Sequence, residues 1–319
     1  MLFHKKTWLL CLTALLSAYT SQPHAQTADK DGSGKEILDH IRQSLPGSYS
    51  NLAQVNKNGG GRLATDLHIR QIFAEGEPVF IFESQQRGSW EARFDIYWLK
   101  LNPQTQQPEF HFAHLSGSEL SLSRQETLAT AWKRVLPGCV ITLEGTANLL
   151  QGHSQPDTCR FEDPIHGQSR IYRMLALGNN NLQLETIMIA PGDEYAAGSN
   201  TLSMLKHQLY TGSVSMSPDT AADTPSTGEW RQSGNFNMHD DGRINRLYDS
   251  SSSMGFAIQL ARLYRHQGES PSLKISIINL ENNGTQAFQW FEPGSEQLQI
   301  DLDWIKVKLE PAKPDESDQ

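Results

Sequence analysis

The residues of this 319-residue chain with the clearest capacity for chemistry are its three cysteines, Cys11, Cys139 and Cys159. Cys139 and Cys159 stand 20 positions apart, and neither has a second cysteine at CxxC spacing. In an oxidising compartment such a pair forms a disulfide, which stabilises a loop of this size by about 3 kcal/mol. A metal site would need further ligands, and a catalytic thiol would have to stay reduced. We therefore predict a disulfide, with a metal site and a catalytic thiol as the alternatives.

Other motifs with reactive side chains do not add up to a site. His111 and His114 are spaced as HxxH, but on a strand positions i and i+3 face opposite sides, so a shared metal is not expected. His239 to Gly242 reads HDDG and lacks the further acidic positions of a calcium loop, which favours a plain turn. The sequence contains no phosphate loop, nucleophile elbow or dinucleotide fingerprint. No metal and no cofactor are predicted.

The first 25 residues have the pattern of a secretory signal peptide. Lys5 and Lys6 precede an apolar run over 8–16, and small residues surround Ala25. The alternative is a membrane anchor, but the run is short of the ~20 residues that a helix needs to span a bilayer. Cleavage would remove two of 27 basic residues and leave 25 against 36 acidic ones, a formal charge of −11. We expect a periplasmic or otherwise exported protein without a stable membrane span, and one that does not bind nucleic acid.

The hydrophobic pattern changes from helical to strand-like early in the chain. Ile37, Leu38, Ile41 and Leu45 form one apolar stripe, which predicts a short helix ended by a Pro-Gly pair. The runs that follow are β-branched or aromatic and are bounded by turn residues: DLHIRQIF, VFIFES, ARFDIYWLKL, PEFHFAHL, CVITLEG, SRIYRMLAL and NLQLETIMIA. One helical interruption is predicted near residues 123–136. Strands in series without βαβ alternation predict a mainly β fold, either an antiparallel barrel or a strongly curved sheet.

A change in composition divides the chain further. The segment TGSVSMSPDTAADTPSTGE is rich in Ser, Thr, Pro and Asp, which is typical of a linker, and strand-like runs return after it. The sequence thus predicts a signal peptide (1–25), a β-barrel domain (35–210), a linker (211–229), a small β-rich C-terminal region (230–310), built as a sandwich or an additional sheet, and a disordered tail (311–319).

Four blocks in the barrel region resemble the CpcT/CpeT family of phycobiliprotein chromophore lyases. In the stretch from Leu136 to Cys159 the matching residues are Gly138, Cys139, Leu150, Gly152, Pro156 and Cys159. The block GSYSNLAQ matches at Gly47, Tyr49, Ser50, Asn51 and Gln54. Between these stretches lie the HIR run, the strand that ends at Glu83, and Arg93 shortly after it. The resemblance covers roughly residues 40 to 195.

The resemblance implies a lipocalin-like antiparallel barrel that holds a linear tetrapyrrole, a bilin, and attaches it to a cysteine of an acceptor protein. It implies that Glu83 faces the pyrrole nitrogens and protonates the bilin, and that Arg93, or else Arg70, grips a propionate. Tyr49, Asn51 and Gln54 would line the mouth as hydrogen-bonding groups. If the protein is an enzyme, it is then a lyase.

Departures from the family pattern keep a second hypothesis open. The chain reads AEGEP over 74–78 where the family has Arg-Pro-Leu-Pro, and Ser84 replaces the Gln of a Glu-Gln pair. Phycobiliproteins are not exported, whereas a signal peptide is predicted for this chain. The alternative is therefore an exported, non-catalytic barrel that binds a tetrapyrrole or another lipophilic ligand. In that case Glu83 and Arg93 could be a cross-strand ion pair, and residues 47–54 could cap the barrel end.

Overall fold

The computed structural model describes residues 34–74, 76–115, 138–155, 158–163, 167–189, 200–217, 229–250, 252–266, 269–292 and 294–312. The predicted signal peptide, the helix expected near 123–136 and most of the predicted tail lie outside these residues. Within them the chain is mainly β, with two helices, α1 (Gly34–Ser44) and α2 (Leu52–Lys57). Neither helix is long and apolar enough to cross a bilayer.

Eleven strands of the described residues form one antiparallel sheet. They are β1 (Gly47–Ser50), β2 (Thr65–Ala74), β3 (Glu77–Gln86), β4 (Ala92–Leu101), β5 (Pro108–Leu115), β6 (Val140–Thr146), β7 (Leu149–Ser154), β8 (Arg160–Asp163), β9 (Gly167–Gly178), β10 (Asn181–Ile189) and β11 (Asn200–Lys206). Pairing of β9 with β10 closes ten of them into a ring, and β8 extends the sheet beside β9. The prediction of a mainly β fold with an antiparallel barrel is confirmed.

Alternation along each strand decides which side chains enter the barrel. In β2, Leu67 and Ile69 are buried inside, whereas His68 and Arg70 are exposed outside. Aromatic rings from neighbouring strands fill the interior at the end of the barrel next to α1. The ring centroid of Phe110 lies 5.8 Å from that of Phe80. A ring of ten strands is wide enough for a ligand unless side chains fill it, so this packing restricts the free volume to one end.

Helix α1 closes the filled end of the barrel. Its apolar stripe places Ile41 in the barrel core, and Leu45 follows just beyond the helix, both fully buried. The Arg42 guanidinium lies 5.3 Å from the ring of Phe73, next to the turn between β2 and β3. The predicted N-terminal helix is therefore present and acts as a plug.

Cys139 and Cys159 form the predicted disulfide, with an S–S distance of 2.04 Å. The bond excludes both the metal site and the free thiol for this pair. Two glycines of the same block are explained by close backbone contacts. A Cβ on Gly138 would lie 2.0 Å from the carbonyl oxygen of Thr158, and one on Gly152 would lie 2.2 Å from that of Thr142. Pro156 lies outside the described residues.

The C-terminal part is a β-sandwich. Its first sheet has the order β13-β12-β19-β18 and its second the order β14-β15-β16-β17. The strands are β12 (Leu209–Met216), β13 (Arg231–His239), β14 (Asp241–Tyr248), β15 (Ser253–Leu263), β16 (Ser272–Asn279), β17 (Gly284–Phe291), β18 (Leu298–Asp301) and β19 (Ile305–Pro311). Inward residues of both sheets, such as Val214, Ile275 and Val307, share one apolar core.

Two details of the predicted C-terminal organisation are corrected. Residues 211–216, expected at the start of a linker, belong to β12, because Val214 and Met216 alternate with small polar residues and enter the core. The run IDLDWIKVKL, which alternates as if it were one strand, contains a turn. The Leu302 amide donates to the Ile305 carbonyl and joins β18 to β19 as a hairpin.

A buried carboxylate joins the barrel to the sandwich. Asp240, between β13 and β14, is fully buried and accepts hydrogen bonds from His207 Nδ1 at 2.8 Å and from the Gln208 amide at 2.9 Å. The Arg262 guanidinium of β15 donates to the second oxygen, with Nε at 2.8 Å. His207 also donates its backbone N–H to the Ser48 carbonyl in β1. The Asp240 carboxylate thus binds both the connection between β11 and β12 and strand β15. It does so at the point where the chain passes from β13 in one sandwich sheet to β14 in the other.

A second contact lies at the turn between β3 and β4. Arg87 donates to both carboxylate oxygens of Asp66, at 2.8 to 3.1 Å, and to the backbone carbonyl of Asp241 in the sandwich. Arg243 reaches the same carboxylate at 3.3 Å. Burial raises the pKa of Asp66, but the hydrogen bond and charge of Arg87 outweigh it and hold that pKa below its ordinary value.

Replacing the fully buried Asp240 with Asn is expected to lower the free energy of unfolding by about 3–5 kcal/mol, because the partly buried Arg262 loses its counter-charge. Urea denaturation followed by circular dichroism at pH 7 measures this change. Asp301→Asn is the control, since Asp301 forms an exposed pair with Lys306, and its loss should be about 0.5 kcal/mol or less. Equal losses in the two variants would contradict the role of Asp240.

The same carboxylate should make stability depend on pH. Burial raises the pKa of Asp240, but hydrogen bonding from His207 and the charge of Arg262 outweigh it, so the pKa lies below its usual value. The stabilisation is complete above the unfolded-state pKa of about 4 and is lost as the pH falls through the folded-state pKa. The wild-type protein should thus lose more stability than Asp240→Asn between pH 5 and pH 2 in thermal melts.

Removing the disulfide in the double variant Cys139→Ser/Cys159→Ser should reduce the free energy of unfolding by about 3 kcal/mol, since the unfolded chain regains the freedom of a short loop. The expected readout is a lower urea midpoint in the variant than in the wild type. Adding a reductant should lower the wild-type midpoint to that of the variant and leave the variant unchanged. A variant as stable as the oxidised wild type would contradict the prediction.

Candidate functional site

A cavity of about 1360 Å³ lies at the end of the barrel opposite α1. It is lined by α2, by the ends of β2, β3, β4 and β11 and by the connections between them. Most of the lining residues described are polar: Asn51, Gln54, Val55, Asn58, Gly61, Arg62, Leu63, Thr65, Ser84, Gln86, Ser89, Glu91, Arg93, Thr201 and Leu202. A cavity closed by a filled barrel at its base and lined by hydrogen-bonding groups is suited to a polar or amphipathic small molecule.

Asn51 and Gln54 lie in this lining, where the sequence blocks suggested. The Oδ1 of Asn51 accepts from the Thr65 amide at 2.6 Å. Gln54 donates from Nε2 to the Thr201 carbonyl and accepts at Oε1 from the Ser203 amide, both at 3.1 Å. The two amides therefore fasten the short helix α2 to β2 and β11, which shapes the mouth. Their part in binding a ligand stays a prediction.

Tyr49 is not at the mouth, and that expectation is corrected. Its ring is in the barrel core with an exposed fraction of 1%, and its hydroxyl donates to the Leu45 carbonyl at 2.7 Å. Burial raises the pKa of this phenol above its ordinary value. Tyr49 instead anchors the end of α1 to β1, because β1 begins two residues after Leu45 and directs this side chain inward.

Glu83 and Arg93 lie on opposite faces of the barrel wall. Phe82 enters the core, so Glu83, the next residue along β3, faces outward, where its carboxylate lies 3.7 Å from the guanidinium of Arg70. Arg93 of β4 is opposite Ser84 of β3, and both residues line the cavity. Glu83 therefore pairs with Arg70 on the outer surface, and neither the joint ligand site of Glu83 with Arg93 nor the alternative ion pair between them is found.

The interior contains a charged group that the sequence analysis missed. Arg173 of β9 is 6% exposed and donates to the Asp95 carboxylate at 3.0 Å and to the Tyr97 hydroxyl at 2.9 Å. Its guanidinium lies 4.6 Å from the centre of the Phe112 ring. Its Nε has no hydrogen-bond partner among the described residues. Asp95 is two residues beyond Arg93 on the same face of β4, so this group lies deeper along the cavity-lining face.

Electrostatics keep this group charged. Burial by itself lowers the pKa of Arg173, but the charge of Asp95 and the bond to Tyr97 raise it above the usual value for arginine. For the Tyr97 phenol, burial acts in the opposite direction and raises the pKa to about 12, so the hydroxyl stays protonated. The sequence did carry a signal, since Arg173 stands between Ile171 and Leu175 on the apolar side of an alternating strand. An arginine in that position points into a core.

The cavity lining contains two arginines, several hydrogen-bonding amides and one carboxylate, Glu91. Arg62 and Arg93 stand at the wall of the cavity, and Asp95, the carboxylate below them, is already bound to Arg173. In the part of the chain that is described, no three His, Cys, Asp or Glu side chains are grouped to hold a metal ion. What the site can do chemically is bind an anionic or hydrogen-bonding group at its mouth.

No family model and no curated protein matches the chain. Among the solved structures that are similar to the chain, two align with about half of it. The CRL protein of Arabidopsis aligns with 13% identity and a TM-score of 0.41 over 55% of this chain and 100% of its own. The T-type phycobiliprotein lyase CpeT from Prochlorococcus phage P-HM1 aligns with 12% identity and a TM-score of 0.35 over 53% of this chain and 96% of its own. Both TM-scores are below 0.5, so the fold assignment rests on the strand pairing, and membership of the CpcT/CpeT family stays a prediction from the four sequence blocks.

Proposed function

We propose that the barrel binds a small molecule of the linear tetrapyrrole type, or one similarly amphipathic with carboxylate groups, and that it does so without catalysis. The observation that carries this proposal is the cavity of about 1360 Å³ at the open end of a closed barrel whose other end is filled. Ligand sites of about 300–1,000 Å³ enclose most of a small organic molecule, so this volume is sufficient.

The residues of the cavity suit the two chemical ends of such a ligand. Arg93, with Arg62 beside the mouth, would bind carboxylates through charge-assisted hydrogen bonds. Ser84, Gln86 and Asn58 offer donors and acceptors to polar groups along the ligand. Val55, Leu63 and Leu202 are the apolar residues of the lining and would contact the conjugated body of the ligand.

The position of Glu83 favours binding over the lyase reaction. A general acid must come within hydrogen-bond reach of the group that it protonates, about 2.6–3.2 Å. Glu83 faces the outside of the barrel beside Arg70, so a bilin in the cavity would be out of its reach. The bilin lyase reaction implied by the sequence blocks, with an acceptor protein that offers a free cysteine, is the second candidate.

We also propose that the protein acts outside the cytoplasm. The signal pattern of the first 25 residues and the Cys139–Cys159 disulfide both support an oxidising compartment such as the periplasm. A fusion of the full chain to a reporter enzyme that folds only after export would test this placement.

Binding can be tested by titrating the purified full-length protein with biliverdin and following its visible absorbance. Arg93→Gln should weaken the apparent Kd by about tenfold or more, because a charge-assisted hydrogen bond contributes about 1.5–3 kcal/mol. The matched control is Arg70→Gln, which removes an arginine from β2 on the outer surface of the barrel and should change the Kd by less than about twofold. No saturable binding to the wild type, or equal effects of the two substitutions, would overturn the proposal.

The lyase candidate is separated by a second assay. The protein is incubated with phycocyanobilin and a phycobiliprotein subunit, and covalent adducts are counted by mass spectrometry. We expect no adduct above the spontaneous rate. Faster adduct formation that is lost in Glu83→Gln would instead establish the lyase reaction with Glu83 as its acid.

A further inference from the structure

Strand β17 (Gly284–Phe291) is an edge strand of the second sandwich sheet. Within the described residues it pairs with β16 on one side, and no strand lies beside its other side. The backbone N–H and C=O groups that point to the open side of an edge strand can pair with a strand from another chain. Proteins prevent such pairing with charged residues, proline, irregular pairing or short length, so the residues of each edge show whether it is protected.

The other three edges of the two sandwich sheets, as far as the structure describes them, are protected in these ways. Strand β13 contains Arg231, and its pairing with β12 shifts register. Strand β14 contains Arg243 and Arg246, and its pairing with β15 shifts register twice. Strand β18 has four residues and ends at Asp301. These edges therefore disfavour an added strand.

Strand β17 lacks this protection. Its eight residues, GTQAFQWF, include neither a charged residue nor a proline. Its pairing with β16 shifts register only at Gln286 and is continuous from Ala287 to Phe291. A regular, uncharged edge of this length is suited to pairing with another strand.

Two aromatic side chains lie on the outer face of this edge. Phe288 and Trp290 are two positions apart and share this face, and Phe288 is 58% exposed. Ala287 and Phe291 pack against the sandwich core on the opposite face. The Nζ of Lys274, on β16, lies 4.6 Å from the centre of the Phe288 ring and 5.6 Å from that of Trp290. Exposed aromatic rings beside an open sheet edge are typical of a protein interface.

We propose that β17 pairs with β17 of a second copy of the chain across a two-fold axis, which joins the two four-stranded sheets into one and forms a homodimer. The axis is perpendicular to the sheet, so the outer faces of the two copies lie side by side. Residues directly opposite in an antiparallel pair lie on the same face, so the axis passes through a residue rather than between two residues. The inference is independent of the ligand proposed for the barrel.

An axis at Gln289 makes the pairing self-complementary. Phe288 of each copy then lies opposite Trp290 of the other, and cross-strand aromatic pairs of this kind stabilise a sheet. On the opposite face Ala287 lies opposite Phe291, which places a small side chain beside a large one. The second copy is favoured over an unrelated peptide, because β17 itself supplies a complementary side chain at each of these positions.

Charge permits two acidic copies to meet at this edge. The net charge of −9 makes two copies repel each other over most of their surface. No charged residue lies on β17, and Glu292, which follows it, would be opposite Gln286 of the other copy. The two Lys274 side chains would come from strands three spacings apart, about 14 Å, which exceeds the Debye length of about 8 Å at physiological salt.

Sedimentation velocity of the full-length protein over about 1–300 µM tests for the dimer. One strand pair buries less than the standard interface of about 1,600 Å², so we expect a weak dimer with a Kd of about 10–100 µM. The weight-average mass should rise with concentration from 35.7 kDa towards twice that value. A protein that stays monomeric at about 300 µM overturns the proposal.

A matched pair of substitutions tests the register. Gln289→Lys places two positive charges directly opposite each other at the axis and should weaken the dimer by at least about tenfold. Gln286→Lys adds the same charge to the same strand, opposite Glu292 of the other copy, and should leave the Kd unchanged or lower it by up to about fivefold. Melting temperatures verify that both variants are folded. Equal Kd values for the two folded variants overturn the proposal.

Cysteine cross-linking provides a second measurement. Gln289→Cys places two thiols at the axis on Cα atoms about 4.5–5.5 Å apart, which a disulfide can bridge. The thiols of Gln286→Cys would lie about 20 Å apart along the paired strands and could not be bridged. Both variants also carry Cys11→Ser, so that no other free thiol competes. On mild oxidation only Gln289→Cys should form a covalent dimer, and cross-linking of both variants alike, or of neither, overturns the proposal.

Discussion

Ten strands close into a ring in which β10 pairs with both β9 and β11 and β11 pairs with β1, and this closure assigns every side chain of the ten strands to the inside or the outside. Arg93, Asp95 and Arg173 are inside because of it, whereas Glu83 and Arg70 are outside. An open sheet would leave both faces accessible to the same ligand. In the ring, one position along a strand separates a residue that meets the cavity from one that meets the outer surface.

The two ends of the barrel have different roles: the filled end stabilises the fold, and the open end holds the cavity. The filled end has aromatic rings and α1, which supply the buried apolar area that stabilises the fold. At the opposite end, polar side chains line the cavity and are accessible at its mouth. Arg173 stands at the boundary, with Asp95 balancing its charge and the Phe112 ring below its guanidinium. A buried cation of this kind is tolerated only with such partners, so the boundary is fixed by electrostatics as well as by volume.

Hydrophobic periodicity allowed the β architecture and the N-terminal helix to be predicted, and the pair of cysteines allowed the disulfide to be predicted, but the faces of all strands could not be. In VFIFES, the residues Val79, Phe80, Ile81 and Phe82 are all apolar because both faces of β3 are covered, so alternation could not tell which side Glu83 takes. Tyr49 was misplaced because β1 is too short to show a period. The role of Asp240 depends on His207 and Arg262, which are distant in sequence, and only the fold brings them together.

The pairing of β1 with β11 has a consequence for how the chain folds. Tyr49 is opposite Lys206, 157 positions later, so the ring cannot close until almost the whole barrel sequence is available. Contacts between such distant residues form slowly, whereas the ends of a loop of about 20 residues meet within a microsecond or less. Cys139 and Cys159 therefore come into contact long before the barrel is complete. Oxidation at that stage would join β6 to the segment before β8 and shorten the search that the remaining strands must make.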